Sequence, residues 1–180
     1  VFRVMAELVE GFEFVSDIGH AVTVLGTRGI DIDSPYYNQA YELGKALAES
    51  EFSVVTGGKF GVAEAANKGA FEAGGVSIGI GMNIGKSREK NAFLTKQIMF
   101  DFPFTRKLII TAPTDAFVFF PGGLGTLHHL FEVLTLMQTK KMKKVPVILV
   151  DHAFWSPMHQ FIKEVLVHDV ETISDEDDEL

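Results

Sequence analysis

The chain has 180 residues, 47% of them hydrophobic and 22% charged, with 17 glycines, no cysteine and a formal net charge of −8. That length fits one domain with a sizeable core, and the missing thiols exclude disulfide frameworks, thiolate metal sites and cysteine nucleophiles. An acidic balance with no basic stripe argues against a nucleic-acid partner, and no apolar run approaches the ~20 residues that span a bilayer.

Residues 1–17 open with Phe2, Met5, Val9 and Phe12 at helical spacing and Glu7 and Glu10 on the other side. They predict an amphipathic helix laid against the domain. No basic segment followed by an apolar one stands there, so no signal peptide is expected and the expected compartment is the cytoplasm. Residues 21–25 (AVTVL) read as a strand ending at Gly26. Ser34 and Pro35 start a helix to about Glu49, the serine as cap and the proline in the first turn. Residues 52–55 (FSVV) form a second strand, 62–72 a helix stopped by Gly74 and Gly75, and 76–80 a third strand. Residues 81–102 give no clean period and read as a long loop with a short strand or turn. A helix over 104–111, a strand over 116–120 (AFVFF), a long helix over 126–139, a strand over 145–150 (VPVILV) and a helix over 154–167 complete the chain. Lys140, Lys141, Lys143 and Lys144 follow the long helix, where cations complement its dipole. The acidic end, 174–180, reads as a frayed tail.

The strands are continuous apolar runs rather than alternating ones, as when both faces of a parallel sheet are covered. Repeated β–α units therefore predict an α/β fold with a doubly wound, Rossmann-like parallel sheet and helices on both faces, one domain over 1–180. Ligands of such folds sit beyond the carboxyl ends of strands. That rule selects Gly26 and Thr27, then Gly57, Gly58, Lys59 and Gly61, then Pro121, Gly122, Gly123, Gly125 and Thr126. The last group joins a strand to a helix. Its glycines permit positive φ and close approach of amides to an anion. The helix end adds unpaired N–H groups and a positive dipole, and Thr126 can cap the helix or bond a phosphate oxygen. Two other motifs fail. Gly85-Lys86-Ser87 lacks the first Walker glycine, and Gly79-Ile80-Gly81 lacks the last glycine of the dinucleotide fingerprint. His152, His159 and His168 lack paired metal-ligand spacing, so no metal is assigned.

Three segments read together resemble the Lonely Guy (LOG) family, often labelled lysine decarboxylase-like. Residues 121–141 (PGGLGTLHHLFEVLTLMQTKK) resemble its P-G-G-x-G-T-x-x-E signature, Phe104-Thr105-Arg106-Lys107 its Arg-Lys pair, and 64–70 (EAANKGA) a second block. The resemblance implies a homodimer that hydrolyses the N-glycosidic bond of nucleoside 5′-monophosphates, AMP or cytokinin nucleotides, to base and ribose 5-phosphate. It implies no metal, pyridoxal phosphate or other cofactor. Such chemistry wants a carboxylate beside the positive charge that develops on the ribose, and an arginine to orient the nucleotide. Carried over, Arg106 matches the arginine and Lys107 its neighbour.

The signature's glutamate, however, is His129, preceded by His128. A neutral imidazole can serve as a base near pH 7 but supplies no fixed negative charge. Glu132, one turn further, is the remaining catalytic candidate. In the G-G-G-x-G-x-M loop of the family, Lys59 and Ala63 replace a glycine and the methionine. Lys59 either reaches a phosphate or narrows the cleft. The expectation is thus a weakened phosphoribohydrolase. The alternatives are a nucleotide-binding or sensor protein of the same fold, or a carrier of a larger phosphate-bearing cofactor such as molybdopterin.

Overall fold

Among the described residues six strands, all parallel, make one sheet in the order β4-β3-β2-β1-β5-β6. They are β1 Ala21–Leu25, β2 Ser53–Thr56, β3 Ser77–Met82, β4 Lys96–Phe100, β5 Ala116–Phe119 and β6 Val147–Leu149. The helices are α1 Phe2–Val15, α2 Pro35–Glu49, α3 Val62–Glu72, α4 Pro103–Thr111, α5 Leu124–Gln138 and α6 His152–Phe161, which runs on as a π-helical segment, Ile162–Asp169. The computed structural model describes residues 1–83 and 91–174. The Walker-like Gly85-Lys86-Ser87 and the acidic end from 175 lie outside the described residues. No helix among the described residues is long and apolar enough to cross a membrane.

The expected α/β architecture is present. β1, β2 and most of β3 and β5 are buried on both faces, and two apolar clusters cover the sheet. One gathers Ile78, Ile80, Phe100, Ile109, Phe117, Phe119 and Leu130, the other Val22, Val24, Val54, Val62, Ala66 and Phe120. The strand order reverses between β1, which continues toward β2, and β5. Such a switch point opens a crevice at the strands' carboxyl ends.

Two expectations are corrected and a third is made definite. Residues 96–100 form an edge strand, β4, the short strand allowed within the segment 81–102. Its first two residues are exposed while Ile98 and Phe100 are buried, so it lacks the apolar run that marks an interior strand. The face of α1 is reversed. Phe2, Met5, Val9 and Phe12 are exposed, and the helix packs instead through Gly11 and Val15. A Cβ on Gly11 would stand 2.5 Å from Ile109 Cγ1, so the close approach requires glycine. Glu7, on that packed side, accepts bonds from Asp101 N at 2.7 Å and Thr105 Oγ1 at 2.5 Å, at the start of α4. Finally, α5 begins at Leu124 with Gly123 as its N-cap, so Thr126 lies in the first turn and is not the cap.

Helices α2 and α3 cross almost in backbone contact. A Cβ on Gly44 would lie 2.0 Å from Ala66 O, and one on Gly69 would lie 1.9 Å from Tyr41 O. Neither carbonyl can yield without moving a helix. Gly69→Ala is expected to cost about 3 kcal/mol and to lower Tm by roughly 6–12 °C. An unchanged thermal melt would contradict this close crossing.

Candidate functional site

The crevice at the switch point is a cavity of about 550 Å³. Its floor is set by glycine packing. A Cβ at Gly26 would come within 2.8 Å of both Phe120 and Val62, so β1 can end there only without a side chain. Thr27 N then donates to Pro121 O at 3.0 Å, stitching the end of β1 to the end of β5, and Val62 N donates to Thr27 O at 3.1 Å. Gly61, at φ +70°, passes so close to Thr27 that a Cβ would sit 2.5 Å from its carbonyl oxygen.

The loop after β2 is braced from below. Thr56 Oγ1 donates to Asn67 Oδ1 at 2.6 Å and accepts from Gly58 N at 2.9 Å. Asn67, fully buried, also donates to Ser77 Oγ at 2.8 Å and accepts from Asn91 at 3.0 Å. This network fixes Gly57 and Lys59 at the cavity wall. It gives the asparagine of the 64–70 segment a structural role.

At the opposite wall, α5 aims its N-terminus into the space. Thr126 N and Leu127 N both donate to Gly123 O. The amides of Gly123, Leu124 and Gly125 meet no acceptor among the described residues, as the first turn of a helix dictates. Gly122, Gly123 and Gly125 do not need positive φ, so their glycines have another reason. A Cβ on Gly122 would strike Thr126 Oγ1 at 2.2 Å. By contrast, Cβ atoms on Gly123 and Gly125 would meet nothing within 4 Å. Those two leave room beside free amides, which is what a bound anion requires.

Arg106 enters from α4. Its Nε donates to Ile80 O at 2.8 Å, and a Cβ on Gly57 would stand 2.9 Å from its Nη2. Burial pulls its pKa down to about 10, still leaving a cation at neutral pH, and no carboxylate among the described residues pairs with it. Beside it His129 is only 3% exposed, with Nε2 lacking any hydrogen-bond partner among the described residues. Burial foremost, then the positive charge of Arg106, lowers the His129 pKa to about 3. The ring is neutral throughout the physiological range. Its conjugate acid is far too strong for a base at pH 7, contrary to the role the sequence allowed.

Gly26, Thr27, Gly57, Lys59, Arg106, Gly123, Gly125, Thr126 and His129 share the cavity. Gly58, Gly61, Pro121 and Gly122 shape its loops without lining it. Lys107 and Glu132 are drawn elsewhere. They form a 3.1 Å ion pair, and the lysine also sits 3.1 Å from His128 Nε2. The sequence reading did not select Arg28, a third cation on the cavity wall, nor Met82, whereas Ala63, noted there as a replaced methionine, does line the cavity. Arg28 follows β1 directly after Gly26 and Thr27, so the strand-end rule could have found it. In a chain of net charge −8, the cavity carries Arg28, Lys59 and Arg106 and no carboxylate among the described residues. Its charge favours an anion.

The sequence profile of a family described as "Possible lysine decarboxylase" matches residues 63–180. The chain belongs to this family, the LOG family. Among its LOG relatives is the cytokinin riboside 5′-monophosphate phosphoribohydrolase of Rhodococcoides fascians, 30% identical over 135 residues, which cover 73% of this chain and 68% of that protein. The enzyme of that name, LOG, from Oryza sativa subsp. japonica is 31% identical over 139 residues, 71% of this chain and 53% of its own length. Among solved structures, the Moco carrier protein of Chlamydomonas reinhardtii superposes with a TM-score of 0.59 at 26% identity, covering 87% of each chain.

Proposed function

We propose that this LOG-family chain binds a nucleoside 5′-monophosphate in the switch-point cavity and cleaves its N-glycosidic bond, slowly when water is the nucleophile. What carries the reading is the pairing, among the described residues, of unbonded amides at Gly123, Leu124 and Gly125 with three cations and no acid. The 5′-phosphate docks on the start of α5, where dipole and N–H groups favour a dianion. Arg106, whose charge is felt by His129, orients the nucleotide and favours departure of the base. The names of the two curated relatives support cleavage.

Retention without cleavage is the second reading, favoured by one observation. No carboxylate lines the cavity among the described residues, so nothing there offsets positive charge on the ribose. The Lys107-bound Glu132 does not fill that role. A homodimer remains part of the proposal and is read by sedimentation. The first experiment is a thermal melt with AMP, followed by chromatography of adenine and ribose 5-phosphate. AMP at a hundred times its Kd should stabilise the fold by about 2.7 kcal/mol. A melt indifferent to AMP and every other common monophosphate would remove the nucleotide assignment.

A further inference from the structure

The cavity carries more positive charge than one monophosphate needs. A phosphate dianion on α5 engages the helix end and one neighbouring cation, and two of Arg28, Lys59 and Arg106 then meet no acid among the described lining residues. These groups stand on different walls. The α5 terminus follows β5, whereas Arg106 is tied to Ile80 of β3 and rests on Gly57 beyond β2. From β5 to β2 is two strand spacings, about 10 Å. A nucleotide phosphate seated at the first wall leaves charge on the second wall for another anion. Between them His129 lines the cavity, with its Nε2 buried and without a hydrogen-bond partner among the described residues.

We infer that Arg106, Lys59 and His129 form a second anion subsite, which takes inorganic phosphate as a co-substrate and makes the reaction a phosphorolysis. The inference rests on the nucleotide reading above. Phosphate supplies what the walls lack, a negative group beside the ribose as positive charge develops there. The neutral His129 can donate to a phosphate oxygen, which a glutamate in its place would repel. A phosphate oxygen attacks C1′ as the C1′–N9 bond of AMP breaks. The departing base takes up the proton that the phosphate brings, giving adenine and ribose 1,5-bisphosphate. No electrons are exchanged and no water is consumed.

The test incubates the whole chain with AMP, with and without millimolar inorganic phosphate, and identifies the sugar product by mass. AMP binding is measured in parallel by calorimetry. We expect adenine release to rise at least about tenfold with phosphate, a barrier change of roughly 1.4 kcal/mol, with ribose 1,5-bisphosphate as product. Arsenate in place of phosphate should also release adenine but leave ribose 5-phosphate, because its ester hydrolyses. Adenine release that ignores phosphate and yields ribose 5-phosphate would overturn the second subsite and leave the hydrolytic reading standing. Binding of AMP with no release under any condition would overturn phosphorolysis while preserving the nucleotide site. Absence of AMP binding would remove both.

Discussion

His129→Glu should release adenine from AMP about a hundredfold faster than the native chain when no phosphate is present, within the range lost on removing one preorganised charge-stabilising group. The native imidazole is neutral, its pKa held near 3 by burial and by Arg106. It therefore offers no negative charge to the ribose at any working pH. A carboxylate at this position faces Arg106, which has no acidic partner among the described residues, so its desolvation is offset by a new ion pair. The same carboxylate should abolish stimulation by inorganic phosphate, since two anions would then compete for one guanidinium. Because the native ring stays uncharged from pH 5 upward, the native rate should show no inflection near 6.5. The decisive measurement is adenine release by the variant after its fold and AMP affinity are verified. If a folded, AMP-binding variant is no faster than the native chain, the carboxylate is not what the site lacks.

Arg106→Gln should weaken AMP binding by roughly a hundredfold, near 2.7 kcal/mol, because the guanidinium that orients the ribose and base, rather than the 5′-phosphate, loses its charged hydrogen bonds. At the same time it should raise the Tm of the ligand-free protein. Burial disfavours the charge of Arg106, and no acid among the described residues compensates it, so its removal relieves a standing cost. With about 1 kcal/mol relieved, the expected gain is roughly 2–4 °C for a chain of this length. Calorimetric titration and a thermal melt of the same sample read both effects. A lower apo Tm would mean that the bond to Ile80 O outweighs the buried charge, and an unchanged affinity would take Arg106 out of the anion site.

Much of the fold was legible because interior parallel strands announce themselves. Residues 21–25 and 116–119 are apolar at nearly every position since both faces are covered. β4 was illegible for the complementary reason, having one neighbour and an exposed first half. On α1 the apolar residues were visible but not the face they occupy. A glycine, Gly11, allows closer packing than any side chain could, and it outcompeted the phenylalanines. Within the site, the strand-end rule located the loops, because topology alone brings β1, β2 and β5 to one edge. It could not sort neighbours on a helix. Arg106 and Lys107 differ by one helical step, so one reaches the cavity and the other turns to Glu132. Nor did the glycine signature separate Gly122, demanded by Thr126, from Gly123 and Gly125, which the protein's own packing does not require.

The appended helix α1 has a part in this site that its distance conceals. Glu7 grips Asp101 N and Thr105 Oγ1, the two groups that bracket the start of α4, and Thr105 is covalent neighbour to Arg106. A carboxylate on the outermost helix thereby sets the azimuth of α4 and, through it, the reach of the guanidinium. Trimming the first turns of the chain is expected to leave the sheet intact yet let the Arg106 guanidinium swivel, so the proposed anion site depends on a segment that does not line the cavity.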